Sequence, residues 1–328
     1  MMKTGITAIG CYVPERVVTN DELAQMMDTS DEWIVSHTGI RQRRIVAEGE
    51  AASDLAVHAA NTALERRGIG AEDIDIIIVA TSSPDYPFPA TACLVQHRLG
   101  AKEAGAFDLS AGCTGFVYAV ETARAFVEAG SARRVLLIGS EVLTSITNWE
   151  DRNSCVLFGD GAGAVVIESL EGVAGHQIMS SWLRSDGAGE TALIRPVSGS
   201  RNPFDPRKHS AADLQLQMDG KRVYLFAVDA IVRTIRTLCE REGISIEDLD
   251  WIVPHQANLR IIEAAAKRLK LPTERFYTNL DRYANTSAAS IPLAIDEMID
   301  KELLRPAQWV LSVGFGAGLT YGGNLIRW

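Results

Sequence analysis

The stretch EDIDIIIV at residues 72–79 has a counterpart 175 residues further along the chain, EDLDWIVP at residues 247–254. Two more pairs of segments share this offset: VLLIG at 135–139 with VLSVG at 310–314, and ERRGI at 65–69 with EREGI at 240–244. Solenoid repeats are much shorter, with periods of about 20 to 50 residues. The sequence therefore predicts two copies of one unit, an N-terminal half at residues 1–172 and a C-terminal half at residues 173–328.

Each predicted copy alternates strand-like and helix-like segments. Aliphatic runs of strand length indicate strands buried on both faces, and they occur at residues 74–80, 135–139, 249–253 and 309–313. Apolar residues at helical spacing predict helices at 114–129, which ends before Gly130, and at 291–299. Both copies are thus expected to be layered α/β units in which helices cover a sheet.

The composition is that of a globular protein, because 47% of the 328 residues are hydrophobic and 23% are charged. Such a chain buries enough apolar surface to offset its ordering entropy, which excludes intrinsic disorder. The net charge of −10 argues against a nucleic-acid partner. No apolar run reaches the roughly 18 residues of a membrane span, and the N-terminus lacks the apolar core of a signal peptide. We expect a cytoplasmic protein with no membrane partner.

The five cysteines and six histidines are scattered along the chain. No C-x-x-C pair occurs, which argues against a disulfide framework and against a structural zinc site. No histidine pair has the spacing of a metal-binding motif either. The sequence therefore predicts no metal site.

Cys113 is the cysteine whose surroundings suggest chemistry. It lies in the segment FDLSAGCTGF, residues 107–116, at the start of a predicted helix. There the helix dipole and free N–H groups are expected to stabilise a thiolate and lower the pKa of the thiol. Small neighbours leave room for a substrate to approach the sulfur. The alternative is a small buried residue without chemical function, since free cysteine is among the most often buried residue types.

Two polar residues are placed where they could act with Cys113. His255 directly follows a predicted strand in WIVPHQAN, residues 251–258, and ligands of open α/β sheets bind at such strand ends. Asn285 lies in YANTSAAS, residues 283–290, before a predicted helix, where asparagine also serves as an ordinary N-cap. Shifting residues 112–113 by the repeat offset lands within this same loop. The duplication therefore favours a joint function for the three residues.

Three further segments are less specific. FGDGAGA at 158–164 loosely fits G-x-G-x-x-A, but strand-like residues follow where a dinucleotide site needs a helix, so a turn between two strands is predicted. GFGAG at 314–318 either offers backbone N–H groups to an oxyanion or forms a packing turn. Residues 185–219 lack periodicity and form either an insertion near the active face or a surface connection.

Together, these motifs resemble those of the beta-ketoacyl-acyl carrier protein synthase III enzymes, the initiating condensing enzymes of the thiolase superfamily. The resemblance covers EWIVSHTGIR at 32–41, AGCTG at 111–115, residues 152–163, VPHQAN at 253–258, ANTSAAS at 284–290 and residues 314–318. It implies an α/β, thiolase-like, five-layered αβαβα fold with internal duplication, which agrees with the repeat described above.

The resemblance also implies a reaction. Cys113 would take the acyl group from a short acyl-coenzyme A, and malonyl-acyl carrier protein would then lose carbon dioxide and attack that acyl group. His255 and Asn285 would hydrogen-bond the malonyl thioester carbonyl, while the N–H groups of Cys113 and Ala317 would hold the second oxyanion. The product would be a 3-oxoacyl-acyl carrier protein that initiates fatty acid synthesis. No cofactor is implied, because the coenzyme A thioester is a substrate.

Binding residues follow from the same resemblance. Trp33 and Arg152 would enclose the adenine of coenzyme A, and Asn258 would contact its pantetheine arm. The acyl pocket would be formed by Phe88, Leu143 and Phe158, with Phe88 supplied by the second subunit of a homodimer.

Arg260, Lys267 and Arg268 would form a basic patch for the acidic carrier protein. The alternative for these three residues is an ordinary solvated helix face.

Two positions depart from the family pattern. His37 stands where arginine is common, and Ala317 stands where glycine is frequent, although alanine still supplies a backbone N–H. The main competing function is a specialised condensing enzyme of quinolone or polyketide synthesis with the same three residues. The order Cys-His-Asn also describes papain-like proteases, but their local C-G-S-C-W signature is missing here. The identity of the acyl primer does not follow from the sequence.

Overall fold

The computed structural model describes residues 3–328. The strands in this range are Thr4–Tyr12 (β1), Arg16–Thr19 (β2), Gln42–Ile45 (β3), Ile76–Ala80 (β4), Gly105–Leu109 (β5), Arg134–Val142 (β6), Asp160–Ser169 (β7), His176–Ser185 (β8), Leu193–Ile194 (β9), Gln217–Met218 (β10), Trp251–Pro254 (β11), Trp309–Gly316 (β12) and Thr320–Arg327 (β13). The α-helices are Asn20–Ala24 (α1), Asp31–Thr38 (α2), Ala52–Arg67 (α3), Thr91–Leu99 (α4), Gly115–Glu128 (α5), Arg152–Cys155 (α6), Gly220–Glu242 (α7), Leu259–Leu269 (α8), Leu280–Tyr283 (α9) and Ser290–Asp300 (α10).

Nine strands form one mixed sheet in the order β11-β12-β13-β8-β1-β7-β6-β4-β5. The two ends of this order have the same internal arrangement. β4 is parallel to β5 and β6, just as β11 is parallel to β12. β7 is antiparallel to β6 and β1, and β13 is antiparallel to β12 and β8. Gly5 and Ile6 of β1 pair with β8 and join the two sets of strands.

The sequence offset of 175 residues reappears in the structure. The strands β6 and β12 begin at Arg134 and Trp309, and the helices α5 and α10 begin at Gly115 and Ser290. A short 3₁₀ turn precedes each of these helices, Gly112–Thr114 before α5 and Ser287–Ala289 before α10. The proposed division after residue 172 falls between β7 and β8, and as a domain boundary it stays a prediction.

Helices cover the strands on the outside and also lie between the two sets of strands. α3 packs on β1, β6 and β7 on one side of the molecule, and α7 packs on β8, β12 and β13 on the other. α5 contacts strands of both sets, which explains why its apolar residues are so completely buried: Phe116 and Val117 are at most 1% exposed. The layers therefore follow the αβαβα order that the family resemblance implies.

The glycine-rich segment at 158–164 is not the turn that we predicted, because most of it belongs to the buried strand β7. Its glycines are required by close packing. A Cβ atom at Gly163 would lie 2.6 Å from the Cβ of Pro292 in α10, and one at Gly161 would lie 3.1 Å from a methyl group of Leu293. Glycine within a strand often marks such a close approach, and sequence alone does not separate this case from a turn.

Among residues 3–328, no helix is both long and apolar enough to cross a membrane.

Substitution of Gly163 tests the contact between β7 and α10. Gly163→Val places side-chain atoms where the rigid Pro292 ring already lies, so we expect a loss of about 1 to 3 kcal/mol in the free energy of unfolding, measured with urea. Gly199→Ala is the control, because no atom lies within 4 Å of the added Cβ at that position. Equal stability of the two variants would contradict the packing argument.

Candidate active site

A cavity of about 260 Å³ is lined by residues from both halves of the chain, and its walls include Cys113, His255 and Asn285. Cys113 lies in the 3₁₀ turn before α5, and His255 directly follows β11. Asn285 precedes the matching 3₁₀ turn before α10. The structure thus brings together three residues that are far apart in sequence, beyond the carboxyl end of β11, and ligands of α/β sheets bind at such ends.

The Cys113 thiol lies in a tight and nearly dry environment. Gly112 adopts a φ of +55°, a left-handed conformation that favours glycine, and Cys113 itself is 9% exposed. Burial raises the pKa of the Cys113 thiol to about 12. The pKa lowering that we predicted for this thiol is therefore wrong, because the loss of hydration on burial has the largest influence on its pKa.

The predicted oxyanion donors lie next to each other. A Cβ atom at Gly112 would lie 3.0 Å from the backbone nitrogen of Ala317, and one at Gly316 would lie 2.7 Å from the backbone nitrogen of Cys113. Ala317 is not among the non-glycine residues with positive φ. Alanine is therefore accommodated without backbone strain at the position where the family often has glycine. Glycines on both sides let the two backbone segments come this close.

His255 is held firmly from inside the protein. Its backbone N–H donates to the carbonyl of Val313 on β12 at 2.8 Å, and its Nδ1 lies 2.7 Å from Ser290 Oγ. Burial lowers the pKa of the imidazole to about 3, so His255 is neutral at physiological pH. With Nδ1 occupied by Ser290, Nε2 is the ring nitrogen that serves the cavity.

Asn285 is fixed through its backbone and its side-chain oxygen. Its N–H donates to the carbonyl of Leu157 at 2.9 Å, and its carbonyl accepts from Gly159 at 3.0 Å. The Oδ1 atom accepts from the N–H of Ser287 at 2.9 Å, which sets the orientation of the amide. Asn285 therefore presents a donor, Nδ2, and it does not act as the N-cap of α10, which is Ala289.

The predicted coenzyme A residues lie at one side of the cavity. Trp33 and Asn258 are part of its wall, and the guanidinium carbon of Arg152 lies 5.1 Å from the centre of the Trp33 ring. His37, which departs from the family pattern, stacks on Trp33 with 4.5 Å between the ring centres. Asn258 uses its Nδ2 to donate to the carbonyl of His37 at 3.1 Å. His37 thus shapes this region through Trp33 and Asn258.

The three predicted acyl-pocket residues lie in different places. Phe158 forms part of the cavity wall, whereas Leu143 is buried but does not line the cavity. Phe88 is 85% exposed and also lies outside the wall. Its exposure is compatible with insertion into a second subunit, which stays a prediction.

Part of the irregular segment 185–219 reaches the cavity. Its two short strands, β9 and β10, pair with each other and place Leu193 and Met218 in the wall. This favours an insertion near the active face over a simple surface connection.

The three basic residues Arg260, Lys267 and Arg268 lie on one exposed face of α8. Arg268 forms an ion pair with Asp229 of α7 at 3.3 Å, and Glu263 interrupts the same face. The N-cap of this helix is Asn258, whose Oδ1 accepts from the N–H of Arg260. The patch therefore starts directly at the cavity wall.

Sequence reasoning missed two polar residues behind the site. Ser290 contacts His255, and Glu141 of β6 is completely buried, where burial raises the pKa of its carboxyl group. Ser290 is the last residue of the motif at 284–290, and the repeat offset pairs it with Gly115. This pairing could have identified Ser290 as a candidate from the sequence. Nothing in the sequence marks Glu141, because it follows a strand-like run without a recognisable motif.

Comparison with known proteins identifies the family. The family model for 3-oxoacyl-[acyl-carrier-protein] synthase III matches residues 107–187, and the model of its C-terminal part matches residues 239–328. The beta-ketoacyl-[acyl-carrier-protein] synthase III of Caldanaerobacter subterraneus is 49% identical over 99% of this chain and 97% of the relative. That of Clostridium acetobutylicum is 48% identical over 100% of this chain and 99% of the relative. The chain belongs to the synthase III family.

Solved structures agree with this assignment. The crystal structure of the synthase III from Thermus thermophilus has a TM-score of 0.91 and 47% sequence identity, with 99% of both chains covered. The thiolase-like fold predicted from the sequence is therefore confirmed. As a member of the synthase III family, the chain is an acyl-transferring condensing enzyme, and its relatives favour the initiating enzyme over the specialised alternative.

The raised pKa of Cys113 predicts how the resting synthase III reacts with iodoacetamide. Since only the thiolate reacts, the alkylation rate of Cys113 should keep rising from pH 7 to pH 10, with no plateau near neutral pH. The rate is measured by mass spectrometry of the Cys113 peptide, with the exposed Cys93 as an internal control in the same sample. A plateau below pH 8 would show that the thiolate is already stable in the resting enzyme.

Proposed function

We propose that this synthase III condenses a short acyl-coenzyme A with malonyl-acyl carrier protein, releasing coenzyme A and carbon dioxide and forming a 3-oxoacyl-acyl carrier protein. The observation that carries this proposal is the convergence of Cys113, His255 and Asn285 on one cavity. A nucleophile, a neutral imidazole and an amide donor are the groups that this pair of half-reactions requires.

In the first half-reaction, Cys113 attacks the carbonyl carbon of the acyl thioester. Because its resting thiol is neutral, the proton must leave the sulfur as the new bond forms, and the neutral His255 is the base within the same cavity. The N–H groups of Cys113 and Ala317 stabilise the oxyanion. Coenzyme A leaves as the thiol, and the acyl group stays on Cys113.

In the second half-reaction, the malonyl thioester carbonyl accepts hydrogen bonds from His255 and from Asn285 Nδ2. Loss of carbon dioxide places negative charge on that oxygen, so these donors stabilise the enolate more than the substrate. The enolate carbon then attacks the acyl group on Cys113. The fixed Asn285 amide needs no reorganisation during this step, because Ser287 already holds its oxygen.

Coenzyme A would enter by the side of the cavity that carries Trp33 and Asn258. In the structure, the Arg152 guanidinium covers the Trp33 ring, so an adenine ring needs Arg152 to move outward before it can lie between them. Arg152 is partly exposed and is held by the carbonyl of Asp28 at 2.7 Å. Movement of this side chain therefore disturbs little of the buried core.

The carrier protein would bind at the basic face of α8, formed by Arg260, Lys267 and Arg268. This face begins next to Asn258, which lies in the cavity wall. A carrier protein bound there could extend its pantetheine arm from the surface into the cavity. A homodimer would place Phe88 of one subunit at the acyl pocket of the other, and the large exposed surface of Phe88 supports this arrangement. The cavity wall around Phe158, Leu193 and Met218 would then select the primer.

Intact-protein mass tests the first half-reaction. Wild type incubated with a panel of acyl-coenzyme A species should gain the mass of one acyl group, and malonyl-acyl carrier protein should remove it. Cys113→Ala should gain none, because the nucleophile is absent, and Cys239→Ala is the control for loss of another buried thiol. If no acyl-coenzyme A modifies wild type, the proposed function is wrong.

Charge reversal tests the carrier site. The double variant Lys267→Glu with Arg268→Glu should raise the KM for malonyl-acyl carrier protein by about tenfold at low salt, with less effect at high salt and unchanged acylation by acyl-coenzyme A. Lys102→Glu with Arg133→Glu is the matched control, since it makes the same change of charge at two exposed positions outside the cavity wall. Equal KM values for both double variants would contradict the carrier site on α8.

A further inference from the structure

The Ser290 hydroxyl makes three contacts behind the active site. Ser290 Oγ lies 2.7 Å from His255 Nδ1, 2.8 Å from the carbonyl oxygen of Ser287 and 3.4 Å from the backbone nitrogen of Gln256. Ser290 and His255 are each 1% exposed, so bulk water does not compete for these contacts. The protonation of the imidazole is therefore decided by what the hydroxyl can donate and accept.

Only one arrangement of hydrogens satisfies all three contacts. A backbone carbonyl can only accept and a backbone N–H can only donate, so the hydroxyl donates to Ser287 and accepts from Gln256. Its remaining lone pair requires a donor on the imidazole, which makes Nδ1 the protonated nitrogen. If the hydroxyl donated to Nδ1 instead, the lone pairs of Ser290 Oγ and of the Ser287 carbonyl oxygen would face each other at 2.8 Å, which is unfavourable.

We propose that Ser290 is a positioning residue that fixes His255 as the Nδ1–H tautomer and leaves the lone pair of Nε2 directed to the cavity. The proposal rests on the proposed function, because it assigns a protonation state to the histidine used there. Ser290 itself touches neither substrate nor the reacting atoms, and it acts through His255.

This tautomer suits the acylation step without any proton movement at Nδ1. The lone pair of Nε2 takes the proton of the Cys113 thiol while the sulfur bonds to the acyl carbon. When the carbon–sulfur bond to coenzyme A breaks, the same proton passes from Nε2 to the departing sulfur. The Nδ1–H bond to Ser290 is kept throughout and becomes stronger while the ring is charged.

The condensation step then needs one proton from solvent. Malonyl-acyl carrier protein brings a carboxylate into the cavity, and Nε2, which faces the cavity, takes up a proton and donates it as a hydrogen bond to the thioester oxygen. After decarboxylation and attack on the acyl group, the bond to Cys113 breaks and the sulfur leaves as a thiolate. The Nε2 proton returns to that sulfur, so the enzyme regains its starting state.

Few titratable groups surround His255, so its protonation depends on the substrate carboxylate and on Ser290. The titratable side chains in the cavity wall are His37, Cys113 and Tyr224, and the buried Glu141 acts on Cys113 from β6. The lowering of the His255 pKa has burial as its cause. During condensation, the imidazolium is then stabilised by the carboxylate of the substrate and by Ser290 Oγ, which accepts from Nδ1–H.

Nitrogen NMR tests the tautomer in the resting enzyme without any need for turnover. In protein labelled with ¹⁵N-histidine, the His255 signals are assigned by their loss in His255→Gln. We expect a protonated Nδ1 and an unprotonated Nε2 at pH 7. A protonated Nε2 in the resting enzyme would overturn the proposal, whatever the activity of the protein.

Kinetics test the function of Ser290. In Ser290→Ala, we expect acylation by acyl-coenzyme A to slow about tenfold with little change in KM, because the ring loses its orientation. The decline of the malonyl step with rising pH should move to lower pH by about one unit, since the imidazolium loses its acceptor and its pKa falls. Ser290→Thr keeps the hydroxyl and should restore both properties.

The control is Ser140→Ala, which removes another buried hydroxyl, one that donates to the carbonyl of Ala52 at 2.7 Å. It should leave the pH profile unchanged. If wild type is acylated and discharged but Ser290→Ala has the wild-type pH profile, the proposal for Ser290 fails and the proposed function stands. If wild type is not acylated, the proposed function fails, and the NMR result still decides the tautomer. Should Ser290→Ala not fold, Ser290→Thr and the NMR spectrum decide the outcome.

Discussion

The close approach of two 3₁₀ turns across the internal repeat is the constraint on which the site depends. The turn Gly112–Thr114 contacts the turn Ser287–Ala289 directly, and beside them a Cβ atom at Gly139 of β6 would lie 2.4 Å from the carbonyl oxygen of Ala288. At Gly139, the missing side chain lets backbone meet backbone where any larger residue would force the halves apart. Cys113 and Asn285 lie in or beside these turns, so their separation is set by this contact.

Burial is the second determinant, because it decides which groups are charged. The same loss of hydration raises the pKa of the Cys113 thiol and lowers the pKa of the His255 imidazole. The resting pair is therefore neutral, and charge appears only as substrates react or bind. Fixed donors such as Asn285 Nδ2 then act on that new charge in a site with little competing water. A thiolate–imidazolium ion pair between Cys113 and His255 in the resting enzyme would be harder to maintain, because burial removes the hydration of both charges.

Much of the fold could be predicted from the sequence because it is encoded locally and repeated. The strands at 76–80 and 251–254 and the helix that ends before Gly130 follow from continuous aliphatic runs and helical spacing. Glycine-rich β7 differs from the predicted turn, because its glycines are required by Pro292 and Leu293 of α10, which are far away in sequence. The three site residues were found from strand ends, the repeat and a family resemblance.

The sequence by itself determined the family, the duplicated α/β architecture and the identity of the reactive groups, since these depend on residue order and periodicity. Only the tertiary structure decided the state of those groups. The pKa of Cys113 depends on how much water its neighbours exclude, and the tautomer of His255 depends on a Ser290 hydroxyl 2.7 Å away. Both are properties of three-dimensional proximity, because desolvation and hydrogen bonding depend on which atoms folding brings next to each group.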